Sequence, residues 1–153
     1  MKQEKEFLRE KFIEFQLKIA ELNHALLKQD QASQAREKEL YLNLFEVMDA
    51  FDNLDENIAE KEEGFDKTTR MLVKNVRSIR KKLLRALKAK NIVPIEFPDN
   101  KARMDYCKIA DTKDISGLEN ETIISVIKNG YIDKQQDIVL RKAEVITVLK
   151  LET

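Results

Sequence analysis

Apolar positions in the first part of the chain recur at helical spacing. Leu8, Phe12, Phe15, Ile19, Leu22 and Leu26 alternate four and three residues apart, the signature of a coiled-coil seam. The same heptad carried onward meets Gln29, Ser33 and Arg36, a polar gap. Alternation resumes at Leu40, Leu44, Val47, Phe51, Leu54 and Ile58, displaced by one residue. Such a displacement is a stutter, which unwinds a supercoil locally. The pattern predicts a helix from about residue 3 to 58, roughly 80 Å long. One helix of that length cannot bury its stripe alone, so a second copy is expected along Leu8–Leu26 and Leu40–Leu54. The polar gap predicts a weak coil that loses helicity below the melting temperature of the strand-rich module at the C-terminal end. A single circular-dichroism transition shared by both parts would count against that.

The stretch AEKEEGFD at 59–66 is polar and holds Gly64, so it reads as a turn, with Asp66 or Thr68 capping the next helix. That second helix places Thr69, Leu72, Val76, Ile79, Leu83 and Ala86 on one face. Asn91 tolerates the left-handed conformation just past a helix end, and Pro94 blocks continuation. Charge is sorted between the two helices. Residues 46–66 carry nine acids against Lys61 alone, whereas residues 67–90 carry ten bases and no acid. Folding the second helix back antiparallel brings opposite charges together across the seam edges. Exposed pairs add little stability, so the sorting sets register rather than strength. Two copies of this helix pair would supply the four helices of a bundle.

Beyond residue 91 the periodicity changes. IVPIEF at 92–97 reads as a short strand interrupted by Pro94, and CKIA at 107–110 as a second. TIISVIKNGYI at 122–132, rich in β-branched residues, is the clearest strand. A polar turn at 133–137 leads to a last stretch, 138–151, whose imperfect alternation predicts a bend or bulge. The expectation is therefore α+β: a long coiled-coil helix, a short helix completing a dimeric four-helix bundle, and a small C-terminal β-domain. The boundary is placed at 1–90 and 91–153.

Composition narrows the function. Of 153 residues 37% are charged, and His24 and Cys107 are each the sole representative of their kind. With so few, a Ser-His-Asp triad or a His-metal site is not expected, and a disulfide within the chain needs a second Cys. Cys107 reads as a core thiol. The acids Asp111, Asp114, Glu119 and Glu121 lack EF-hand spacing, and no glycine-rich phosphate loop is present. The expectation is binding work: no enzyme, no metal and no cofactor. No apolar run approaches the ~20 residues of a membrane helix, and the mixed charges of MKQEKEFLREKF are unlike a signal peptide. The chain is therefore expected to be cytoplasmic, without membrane or nucleic-acid partners. The basic helix 67–90 is the one feature favouring nucleic acid.

Three segments resemble the GrpE family, the nucleotide exchange factors of DnaK-class chaperones. Residues 44–52, LFEVMDAFD, are similar to the family's motif at the end of its long helix. Residues 83–95, LLRALKAKNIVPI, are similar to its last bundle helix and entry to the β-domain, with Asn91 where a Gly is usual. Gly130-Tyr131 followed by Leu140-Arg141-Lys142-Ala143-Glu144-Val145 resembles the C-terminal signature. The family's His-containing segment has no counterpart in FPDNKARMDYCKI at 97–109, and the hairpin after Tyr131 lacks a turn Gly.

The resemblance implies a homodimer, with Leu72, Val76, Ile79 and Leu83 joining the seam. It also implies a co-chaperone of the stress response and of protein folding, one that binds the ATPase domain of a DnaK-class chaperone and opens its cleft so that ADP escapes. It would place chaperone contacts at Asn53, Glu56 and Asn57 on the long helix and at Ile127, Ile138 and Arg141 in the β-domain. Ile138 stands where the family often has an exposed hairpin Arg. The competing expectation is a structural coiled-coil adaptor whose β-rich module docks a protein without exchange activity.

Overall fold

A computed structural model describes residues 1–150 and has the expected α+β composition. Helix α1 spans Lys2–Lys61 and continues unbroken through Gln29, Ser33 and Arg36. A 3-10 turn, Glu62–Gly64, leads to α2, Lys67–Ala89. Six strands follow: β1 Ile92–Pro94, β2 Cys107–Lys113, β3 Ile123–Lys128, β4 Tyr131–Asp133, β5 Ile138–Arg141 and β6 Ala143–Val148. The chain divides into two units, Met1–Leu40 and Tyr41–Thr153.

Within Met1–Leu40 the apolar stripe of the helix is exposed. Leu8, Phe12, Phe15, Ile19, Leu22 and Leu26 are 54–66% exposed. Its side-chain pairs are local, Lys11 with Glu14 at 2.6 Å and Lys18 with Glu21 at 2.9 Å. Pairs of this kind contribute a few tenths of a kcal/mol each.

The unit from Tyr41 onward has a true core, built by a face of α1 that the heptad marks only at its edge, through Ile58 and the half-buried Leu44. Phe45, Met48, Asp49 and Ile58 are buried, whereas Leu54 and Val47 remain exposed. On α2 the buried residues are Val73 and Leu87, whereas Leu72 and Ile79 are exposed. Residues one position apart lie about 100° apart on a helix. The chain thus folds upon itself through one stripe, and the predicted seam is a neighbouring stripe that shares Leu44, Ile58 and Leu83 with it.

Local chemistry explains the helix ends. The Asp66 carboxylate accepts a 2.8 Å hydrogen bond from the Thr69 N–H, the N-cap geometry. Asn91 has a φ of +62° and its N–H donates to the Lys88 carbonyl at 3.0 Å, closing α2 in the left-handed conformation expected of it. Between the helices the sorted charges meet within one chain. Arg77 reaches Asp55 at 2.7 Å and Glu62 at 3.1 Å, and Arg80 reaches Asp52 at 2.6 Å.

The strands form two three-stranded sheets, ordered β1-β4-β5 and β2-β6-β3. All pairs are antiparallel except β2 with β6. One buried cluster joins Phe45 and Met48 of α1, Leu87 of α2, Ile92 of β1 and Tyr131 of β4. A second gathers Cys107, Ala143 and Val145, with Phe97, Ala102 and Ile123 packed against it.

Three strand expectations need correction. The stretch 122–132 is two strands, β3 and β4, in different sheets, broken at Asn129-Gly130. The break is enforced by backbone packing: a Cβ on Gly130 would overlap the Ala143 nitrogen and lie 2.8 Å from the Arg141 carbonyl oxygen. The stretch beginning at 138 is likewise two strands, separated by Lys142, and Leu151 lies outside the described residues. The first strand stops at Pro94 rather than Phe97, with the Ile95 N–H bonded instead to the Gly130 carbonyl at 2.9 Å. The β4–β5 turn manages without glycine. Asp133 accepts from the Gln135 and Gln136 N–H groups at 2.8 and 3.2 Å, and Asp137 takes a φ of +54°.

Candidate functional site

A dense polar network lies where the end of α1 meets β4 and β5. Its floor is aromatic. The rings of Phe45 and Tyr131 stack with centroids 4.0 Å apart and planes 4° from parallel. The Arg141 guanidinium lies 5.5 Å from each centroid, within cation–π range.

Arg141 is then gripped from two sides. Its Nη1 and Nη2 donate to the two carboxylate oxygens of Asp49 at 2.7 and 2.6 Å, a bidentate fork. Its Nε and Nη2 donate to the Asn129 carbonyl at 3.1 and 2.6 Å. Both partners are mostly buried, with side-chain exposures of 14% for Arg141 and 11% for Asp49. The network extends outward: Asn129 donates its amide to Asp52 at 2.9 Å, and Asp52 holds Arg80 of α2. Lys128 reaches Glu46 at 3.3 Å and Asp49 at 3.6 Å.

The electrostatics follow from burial. Burial alone would lower the Arg141 pKa, but the Asp49 hydrogen bonds and charge outweigh it, so the group lies above its ordinary value. Burial first, then the nearby Asp52 charge, pushes the Tyr131 phenol up to about 12. Both groups hold one protonation state across the physiological range.

The expected contact residues fall into two kinds. Asn53, Glu56 and Asn57 are exposed on α1, and Ile127 and Ile138 are 54% and 48% exposed on β3 and β5. Ile127 and Ile138 thus stand on strands of different sheets. Arg141 differs, because its donors are committed inside the chain. Phe45, Asp49, Asn129 and Tyr131 make the site, yet the heptad did not single them out. A signal was present: Tyr41, Phe45, Met48, Asp52 and Asp55 repeat at three- and four-residue steps beside the seam.

Chemically the site is a joint. Cys107 is buried in the other cluster, its thiol donating to the Arg103 carbonyl at 3.2 Å. Among the described residues no group of His, Cys, Asp and Glu could hold a metal ion, and no helix is long and apolar enough to cross a membrane. No curated protein matches the chain. The GrpE family model matches residues 1–148, spanning both helices and all six strands. The chain belongs to the GrpE family.

Proposed function

We propose that the protein is a co-chaperone that binds the ATPase domain of a DnaK-class chaperone in the cytoplasm and promotes ADP release. The observation that carries this reading is the GrpE match, which covers helical and strand regions together. In this reading residues 1–90 form the stalk and dimer bundle, and residues 91–153 the β-domain that meets the chaperone. The exposed stripe from Leu8 to Leu26, with Val47, Leu54, Leu72 and Ile79, supports a homodimer, since water-exposed apolar rows of this kind gain by mutual burial.

Asn53, Glu56, Asn57, Ile127 and Ile138 offer exposed contacts. No bond is made or broken by the protein itself. It binds the open chaperone better than the closed one and shifts the population toward the state that loses nucleotide.

The test follows release of a fluorescent ADP analogue from a DnaK-class ATPase domain of the same organism. Release accelerates with protein concentration, and Ile127→Asp lowers the affinity about tenfold, on the order of 1.4 kcal/mol. Stable binding without acceleration would replace the exchange reading with that of a docking adaptor.

A further inference from the structure

The chain passes between its two sheets at three points, one of them the long connection 95–106 between β1 and β2. Two are short: Asn129-Gly130, between β3 and β4, and Lys142, between β5 and β6. Arg141 touches both. It is the residue before Lys142, and it bonds the Asn129 carbonyl through two of its nitrogens. The same guanidinium is forked onto Asp49 of α1, and Asn129 is tied through Asp52 to Arg80 of α2. One side chain therefore fastens both short crossings to the helices.

We infer that the Asp49–Arg141 pair is a positioning lock, which holds the β2-β6-β3 sheet at a fixed attitude to the end of α1. This inference rests on the exchange reading above. Asn53, Glu56 and Asn57 stand on α1 and Ile127 on β3 of that sheet, so the lock fixes the spacing between the two sets of proposed contacts. A planar fork constrains direction as well as distance, which an ammonium ion does not. The aromatic floor of Phe45 and Tyr131 holds the plane of the guanidinium. Without the fork, the second sheet can pivot about Asn129-Gly130, Lys142 and the connection after Pro94 while both sheets stay intact. A pivoting sheet still binds a partner but transmits little displacement to it. Arg141 is thus a positioning residue, acting through Asn129 and Asp49 instead of touching the chaperone.

Two readouts decide the matter. Spin labels at Glu60→Cys and Asp111→Cys, in labelled chain diluted with unlabelled chain, report the distance between α1 and β2. The distribution is narrow in the parent and at least twice as wide in Arg141→Lys and in Asp49→Asn. In the release assay, Arg141→Lys changes the half-saturating concentration by less than threefold and lowers the maximal ADP-release rate at least tenfold. Replacing both partners, Asp49→Leu with Arg141→Met, leaves no charge unpaired and restores thermal stability relative to Asp49→Leu alone, but the wide distribution and slow release persist. Unchanged distance widths in the single variants would overturn the lock. So would recovery of release together with stability in the double variant. If the parent protein accelerates release from no DnaK-class ATPase domain, the exchange reading falls, and the label distances still judge the lock.

Discussion

Helix α1 solves one problem in two ways. Between Leu8 and Leu26 it carries an exposed apolar stripe at heptad spacing, with Phe15 60% exposed. From Tyr41 onward the same helix buries Phe45 completely and Met48 to 1%. Residue type does not distinguish the regions, since each presents Phe and Leu at helical spacing. What distinguishes them is a second element to pack against. The first region is a helix whose apolar face is exposed, and the second is a helix that is part of a core. Helical spacing therefore shows that a face is apolar, without showing whether its own chain or another covers it.

The largest expected effect tests that contrast directly. Phe45→Ala leaves a cavity under Tyr131 and destabilises the chain by about 3–5 kcal/mol in chemical denaturation. Phe15→Ala, measured in dilute protein, changes stability by less than about 0.5 kcal/mol, as exposed positions do. Its effect appears instead in sedimentation, as weaker self-association. Equal losses from the two substitutions in dilute protein would erase the distinction between the regions.

Next in size is the crossing point. Gly130→Ala forces a methyl group onto the Ala143 and Arg141 backbones, and denaturation should show a loss of about 3 kcal/mol. The same change at Gly64, which has open space around it, should cost little. Alkaline titration comes third. The Tyr131 phenol is raised from 10.0 to about 12 in the folded chain, so its neutral form is favoured by folding. Its contribution is therefore fully present below pH 10 and is lost as pH rises toward about 12. The loss is roughly 2–3 kcal/mol, and Tyr131→Phe removes that part of the pH dependence.

The smallest effect belongs to the helix cap. The Thr69 hydrogen bonds hold the Asp66 carboxyl below its ordinary value of 3.8. Capping is thus present above that range and fades as acid protonates the group. Asp66→Ala should slightly reduce helicity at the start of α2 and leave the strands unchanged by amide exchange.

Much of this architecture was legible in the residues. Four-three spacing marked both helices, Asp66 and Asn91 marked two of their ends, and the acids of 46–66 facing the bases of 67–90 marked an antiparallel pair. The strand boundaries were harder. TIISVIKNGYI is β-prone throughout, and only the close approach of Gly130 to the β5–β6 backbone divides it. Arg141 was legible as part of a signature, but its partner was not. Asp49 lies 92 positions away, and nothing local in either segment records the pairing.

By itself the sequence determined the periodic content: which stretches are helices, which part of the chain is strand-forming, where caps fall, and that an apolar stripe runs from Leu8 to Leu26. Those properties depend on neighbours three or four positions apart, or two in a strand, and such neighbours are written next to one another. Only the tertiary structure decided which stripe of each helix the chain uses on itself, where the long β-prone runs change sheets, and that Arg141 faces inward to Asp49. These depend on groups brought together from distant parts of the chain, where burial makes a fork of hydrogen bonds count and leaves no room for a single methyl group.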